Sequence, residues 1–184
     1  MGTTRHRKLV WIVALLSAAG LGALAMMLAY GQWQRRHALH IGAIENVVLL
    51  PWNVSIAARV DTGAASSALD AREIKFLRGK KEVEFQLPER CGGHLVRRRV
   101  HAWRTVTSSD GKSEERPEVQ MEFRFGDRRI RTHVTLTNRS HMRYPLLLGR
   151  RTLSNRFIVD VTQTNLLPSI DTTPASSPGT LGGH

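Results

Sequence analysis

The sequence predicts an all-β domain of short antiparallel strands with one short helix, preceded by an N-terminal transmembrane helix. Three observations lead there. Apolar residues recur at period two in short runs between residues 41 and 167, the pattern of half-buried strands. Turn signals such as Ser108-Ser109-Asp110-Gly111 and Gly126-Asp127 punctuate those runs. Residues Leu9–Tyr30 form 22 consecutive uncharged positions, which at about 1.5 Å per residue span roughly 33 Å and suffice to cross a bilayer.

Residues 1–8 are read as a cytoplasmic N-terminus, 9–30 as the anchor, 31–40 as a juxtamembrane linker, 41–167 as the folded domain and 168–184 as a disordered tail of Ser, Thr, Pro and Gly. Arg5, Arg7 and Lys8 ahead of the span favour a cytoplasmic start and a domain on the far side. Ala23-Leu24-Ala25 resembles a signal-peptide cleavage site, but the apolar stretch exceeds the usual length of one. The net charge is +12, and removing the three basic residues before the span leaves +9. The domain itself is therefore basic, which implies attraction to an anionic membrane surface, an acidic peptide or polymer, or nucleic acid. Cys91 is alone, so no internal disulfide can form.

Within the domain, Ile41–Leu50 reads as a first strand stopped by Pro51. Asn53–Val60 reads as a second, with Val54, Ile56, Ala58 and Val60 on one face. Asp61 then falls where strand becomes turn. Thr62 offers a hydroxyl, Gly63 permits a tight backbone and Ala64 leaves room beside the carboxylate. Ile74–Leu87 reads as a hairpin about Gly79-Lys80, and Arg97-Arg98-Arg99 as a solvated strand edge. A long hairpin with its tip at Ser108–Gly111 follows, then strands through Phe123 and Val134. Leu146-Leu147-Leu148-Gly149 reads as a buried apolar strand whose terminal glycine can pass close behind another backbone. A short helix through Leu153 and a last strand, Phe157–Val161, are expected to close the domain.

Most catalytic constellations are missing. There is no HExxH, no phosphate loop, no paired-cysteine ribbon and no nucleophile elbow, and Ser66 and Ser67 have no base placed beside them. Cys91, His94 and His101 form only a partial zinc-like set. The remaining feature is a carboxylate on a strand-end turn, which by itself is equally a loop Asp bonding its own turn.

Asp61-Thr62-Gly63-Ala64 resembles the active-site motif of retropepsin-like aspartic proteases, and Leu146-Leu147-Leu148-Gly149-Arg150 resembles the strand that crosses behind it there. Asp61–Leu69, Ser108–Pro117 and Asn138–Arg150 together resemble a bacterial retropepsin-like family once labelled ATP-dependent zinc proteases. The resemblance covers about 41–167. It implies a closed acid-protease barrel and an endopeptidase without cofactors. In such an enzyme Asp61 is catalytic, Thr62, Gly63 and Ala64 support its turn, and Leu147, Leu148, Gly149 and Arg150 form the buried strand behind. Ser108, Ser109, Asp110 and Gly111 would be the flap. Only one Asp-Thr-Gly is present, so the resemblance further implies a homodimer with one Asp61 from each subunit. The expected setting is a bacterial inner membrane, crossed once, with the domain in the periplasm, a peptide or protein as substrate and no nucleic-acid partner. Two other functions fit the residues: a non-catalytic envelope module whose basic face holds an anionic partner, and a zinc hydrolase using Cys91, His94 and His101.

Overall fold

A closed barrel forms the centre of the domain, and the pairing that closes it joins strands far apart in sequence. The computed structural model describes residues 19–32, 38–107, 111 and 113–168. The chain divides into two units, Met1–Leu39 and His40–His184. In the first, residues 19–32 form helix α1, exposed along its length. Positions 1–18 of the expected N-terminus and anchor lie outside the described residues, as do 33–37 of the linker and 169–184 of the tail. No described helix is long and apolar enough to cross a membrane.

Next along the chain are β1 (Leu39–Gly42) and β2 (Ile44–Leu50), where one continuous strand was expected. The break has a local cause, since the Gly42 amide turns aside to donate to Glu45 Oε1 at 2.6 Å. Then come β3 (Val54–Val60), β4 (Ser67–Asp70), β5 (Arg72–Leu77) and β6 (Glu82–Gln86). A 3₁₀ turn at Glu89–Cys91 leads to β7 (Leu95–Thr107), β8 (Ser113–Phe125) and β9 (Arg128–Thr137). The chain ends with β10 (Leu146–Leu148), helix α2 (Arg150–Leu153) and β11 (Phe157–Asp160).

Strands β2, β3, β10, β4, β9 and β8 form the barrel, which closes because β8 returns to β2, with Leu49 opposite Phe123. From β8 the sheet continues outward through β7, β6 and β5 as a wing. The alternating residues point inward as expected: Ile56, Ala58, Val119, Met121, Phe123, Phe125, Val134 and Leu136 are all buried. Burying each large side chain contributes about 2 kcal/mol against conformational entropy. At the β8–β9 turn Gly126 has φ +57, a conformation that a Cβ resists.

Two expectations require correction. The barrel is mixed rather than antiparallel, because β10 inserts between β3 and β4 and runs parallel to β3, while β4 runs parallel to β9. The strands are not all short, since β7 and β8 have 13 residues each and extend beyond the barrel. The last strand, β11, is the final element as expected, and it pairs with β1 as a separate two-stranded ribbon. Arg97–Arg99 pair with β6 alone, since the β7–β8 pairing begins only at Val100, so the run is a strand edge as expected, with Arg97 and Arg99 exposed, Arg97 bonding Glu82 at 2.6 Å and Arg98 over the Trp52 ring.

Two buried carboxylates tie loops to this frame. Glu45 is fully buried and accepts from the Gly42, Leu166 and Leu167 amides, which fastens the segment after β11. Asp70, also fully buried, accepts from Arg90, from Arg72 at 3.0 Å and from the Arg139 amide at 2.8 Å. Arg90 further donates to the Arg139 and Met142 carbonyls, so this cluster fixes the loop that enters β10. Burial pushes the Asp70 carboxyl up, but its donors Arg90, Arg139 and Arg72 outweigh that and hold it below the usual carboxylate range. A carboxyl depressed on folding stabilises the fold fully above its unfolded pKa of about 4 and loses that contribution as pH falls through the folded value. Asp70→Asn is therefore expected to cost about 2 kcal/mol at pH 7. In urea unfolding, the gap between the variant and the original chain should narrow toward pH 3. A gap independent of pH would contradict this role.

Candidate active site

Asp61 directly follows β3, and the parallel neighbour β10 sets its backbone: the Asp61 amide donates to the Leu148 carbonyl at 3.0 Å. The carboxylate then organises the turn. Asp61 Oδ1 accepts from the amides of Gly63 at 2.9 Å and Ala64 at 3.1 Å, while the described residues offer Oδ2 no donor. One oxygen is thus held by the backbone and the other is uncommitted in a half-buried side chain. That arrangement suits a carboxylate that must exchange a proton with a neighbour or a water.

The second stretch clasps this turn from behind. Gly149 is buried, and a Cβ built there would lie 2.5 Å from the Ser66 carbonyl oxygen and 3.0 Å from that of Ala64. Only glycine permits the approach. It allows the Arg150 amide to donate to the Ala64 carbonyl at 2.9 Å and the Arg151 amide to the Ala65 carbonyl at 3.2 Å. The Arg150 guanidinium reaches over the turn to the carbonyls of Thr62 and Gly63. Thr62 and Gly63 are exposed and Ala64 is half-buried.

Not every residue named for the crossing strand belongs to it. Leu148 and Gly149 are buried and Leu147 is half-buried, but Arg150 is exposed and begins α2. Its aliphatic neighbours fill the barrel, whereas a guanidinium engaged with turn carbonyls stays at the surface. Of the expected flap, Ser108–Asp110 lie outside the described residues. Gly111 is described, with φ +81, and strand pairing of the β7–β8 hairpin extends to Thr107 opposite Ser113.

The zinc-like set has a different fate. Cys91 is fully buried, and burial pushes its thiol up to about 11, against the pull of Arg90, so it stays protonated and is a poor ligand. His94 stacks on Trp52 with centroids 5.3 Å apart and His101 stacks on His133 at 3.9 Å. Among the described residues no group of three or more His, Cys, Asp or Glu is placed to hold a metal ion. This set is therefore not a zinc site.

A hydroxyl chain beneath the turn escaped the sequence reading. Thr152 Oγ1 lies 2.7 Å from both Ser67 Oγ and Thr132 Oγ1, and Ser67 Oγ accepts from the Gly149 amide at 3.0 Å. These three residues lock β4, β9 and α2 together behind Asp61. The available clue was position, with Ser67 six residues after Asp61 and Thr152 three after Gly149, but small hydroxyls leave no periodic signature.

The family described as RimB-like, retropepsin-like aspartic endopeptidase RimB, matches residues 40–169. A probable alpha-L-glutamate ligase from Shewanella pealeana is 36% identical over 121 residues, covering 60% of this chain and 25% of that protein. One of the same description from Desulfotalea psychrophila is 32% identical over 112 residues, covering 58% and 24%. The chain thus spans about a quarter of the length of these relatives. The crystal structure of a Legionella pneumophila protein of unknown function aligns with a TM-score of 0.60 at 27% identity, covering 70% of this chain and 97% of that one.

Proposed function

Because the chain belongs to the RimB-like family of retropepsin-like aspartic endopeptidases, we propose that it is a membrane-anchored, homodimeric peptidase in which Asp61 from each subunit completes one site. The observation that carries this reading is the Asp61 turn, with one carboxylate oxygen held by the Gly63 and Ala64 amides and the other left uncommitted. A single chain supplies one such group. Two copies facing each other cannot both ionise readily, so they share a proton. One then takes a proton from the attacking water while the other gives one to the scissile carbonyl oxygen. Arg150, by holding the Thr62 and Gly63 carbonyls, keeps the turn from shifting during that exchange.

The substrate is a peptide or protein rich in acidic residues. The net charge of +12 supports this, as does the relatives' description as glutamate ligases, within which this region is one part. The uncharged stretch Leu9–Tyr30 supports an inner-membrane anchor with the domain in the periplasm.

The test is cleavage of an unbiased peptide library by the full-length chain in membranes, at protein densities spanning dimerisation. Specific activity should rise with density and then plateau, and acidic residues should be enriched around the cleaved bonds. Activity proportional to the amount of chain at every density would defeat the shared site. A dimer that binds acidic peptides and cleaves none would favour the non-catalytic binding module. Chain recovered free of the membrane would remove the anchor.

A further inference from the structure

A cleft of about 320 Å³ lies on the outer side of β7, β8 and β9, where α2 packs against the sheet, and the Asp61 turn does not line it. Its walls hold four guanidinium groups from separate elements: Arg104 on β7, Arg131 on β9, Arg151 on α2, and Arg156 just beyond. Its floor is Glu118, 1% exposed, with the parallel-stacked rings of His101 and His133 beside it.

The interactions within the cleft leave donor capacity unused. Glu118 takes two hydrogen bonds from Arg104 and one from Arg151, and Arg131 pairs with Glu122 at 3.2 Å. Arg156 Nη1 donates only to the Arg151 and Thr152 carbonyls. Four guanidiniums thus face two carboxylates, and each guanidinium has five N–H groups to place. Burial, and next the adjacent His101, hold His133 below the usual histidine range against the pull of Glu118. The His133 ring is therefore a neutral source of a further hydrogen bond near pH 7.

Donors that converge from several directions fit a tetrahedral oxyanion better than a planar carboxylate, which presents one edge. We propose that this cleft, bounded by Arg104, Arg131, Arg151, Arg156 and the His101–His133 pair, is a binding site for a phosphate dianion, free or as a monoester. This site is independent of the Asp61 chemistry. It binds its ligand whether or not the chain cleaves peptides.

The test uses the full-length chain, with thermal unfolding followed against inorganic phosphate and, separately, phenyl phosphate, at constant ionic strength. Both anions should raise Tm in a saturable way. The double variant Arg131→Gln/Arg156→Gln, whose side chains carry no buried ion pair, should weaken the apparent Kd at least tenfold. Each single variant is measured alongside, so that a folding defect in the double variant cannot imitate lost binding. Arg78→Gln, outside the cleft, should keep the response. A tighter Kd for the ester than for phosphate assigns the site to phosphorylated molecules, and equal values assign it to the free anion. The proposal is overturned if neither anion stabilises the chain, if acetate stabilises it equally, or if Arg78→Gln loses as much response as the cleft variants.

Discussion

Asp61→Asn is expected to lower peptide cleavage by about 10³-fold or more while leaving Tm and dimerisation unchanged. The two effects separate because the support of the turn and the proposed proton exchange fall on different oxygens of Asp61. Oδ1 accepts from the Gly63 and Ala64 amides, and an asparagine carbonyl accepts the same bonds, so the turn survives. The amide that replaces Oδ2 cannot accept and return a proton near neutral pH, so the shared-proton chemistry stops. Mixing sharpens the result. If each site needs two carboxylates, activity in re-equilibrated mixtures of original and variant chains should fall as the square of the original fraction, with inactive mixed dimers forming. A linear fall would place a whole site in each chain, and undiminished cleavage by the pure variant would remove Asp61 from the mechanism.

Gly149→Ala should have the opposite profile, a loss of stability of about 3 kcal/mol or more, with activity lost as a consequence. The new Cβ would meet the Ser66 and Ala64 carbonyl oxygens at 2.5 and 3.0 Å, and both belong to backbone that no rotamer change can move aside. Relief requires β10 and the Asp61 turn to separate. That would break the Arg150–Ala64 and Arg151–Ala65 bonds and the Ser67 contact to the Gly149 amide. Urea unfolding reads this directly, and an unchanged midpoint would mean that the turn is not clasped as described. Together the two variants distinguish a group needed for chemistry from one needed for the shape around it.

Much of the site was legible before the fold. Asp61 at a strand end and the apolar run ending in Gly149 stand out because strands write their burial at period two and because glycine marks close backbone approach. The resemblance of those stretches to retropepsin-like motifs then joined them, and residues 40–169 belong to that family. Other residues left no mark. Arg150 lies next to an apolar strand and reads as its continuation, yet it turns outward to hold the Thr62 and Gly63 carbonyls. Cys91, His94 and His101 suggest a metal by composition, but one is buried as a thiol and the other two stack on different rings.

The sequence by itself determined that the domain is built of strands, which of their faces are apolar, and that the single Asp-Thr-Gly of the chain stands where the second strand ends. Tertiary structure decided the rest. The parallel seating of β10 between β3 and β4, the closure of β8 on β2, the hydroxyl chain through Thr152 and the arginine-lined cleft over Glu118 all join residues distant in sequence. The physical reason is range. Periodicity and turn chemistry act over a few neighbouring residues, whereas strand order and the meeting of polar groups depend on which distant surfaces bury each other best.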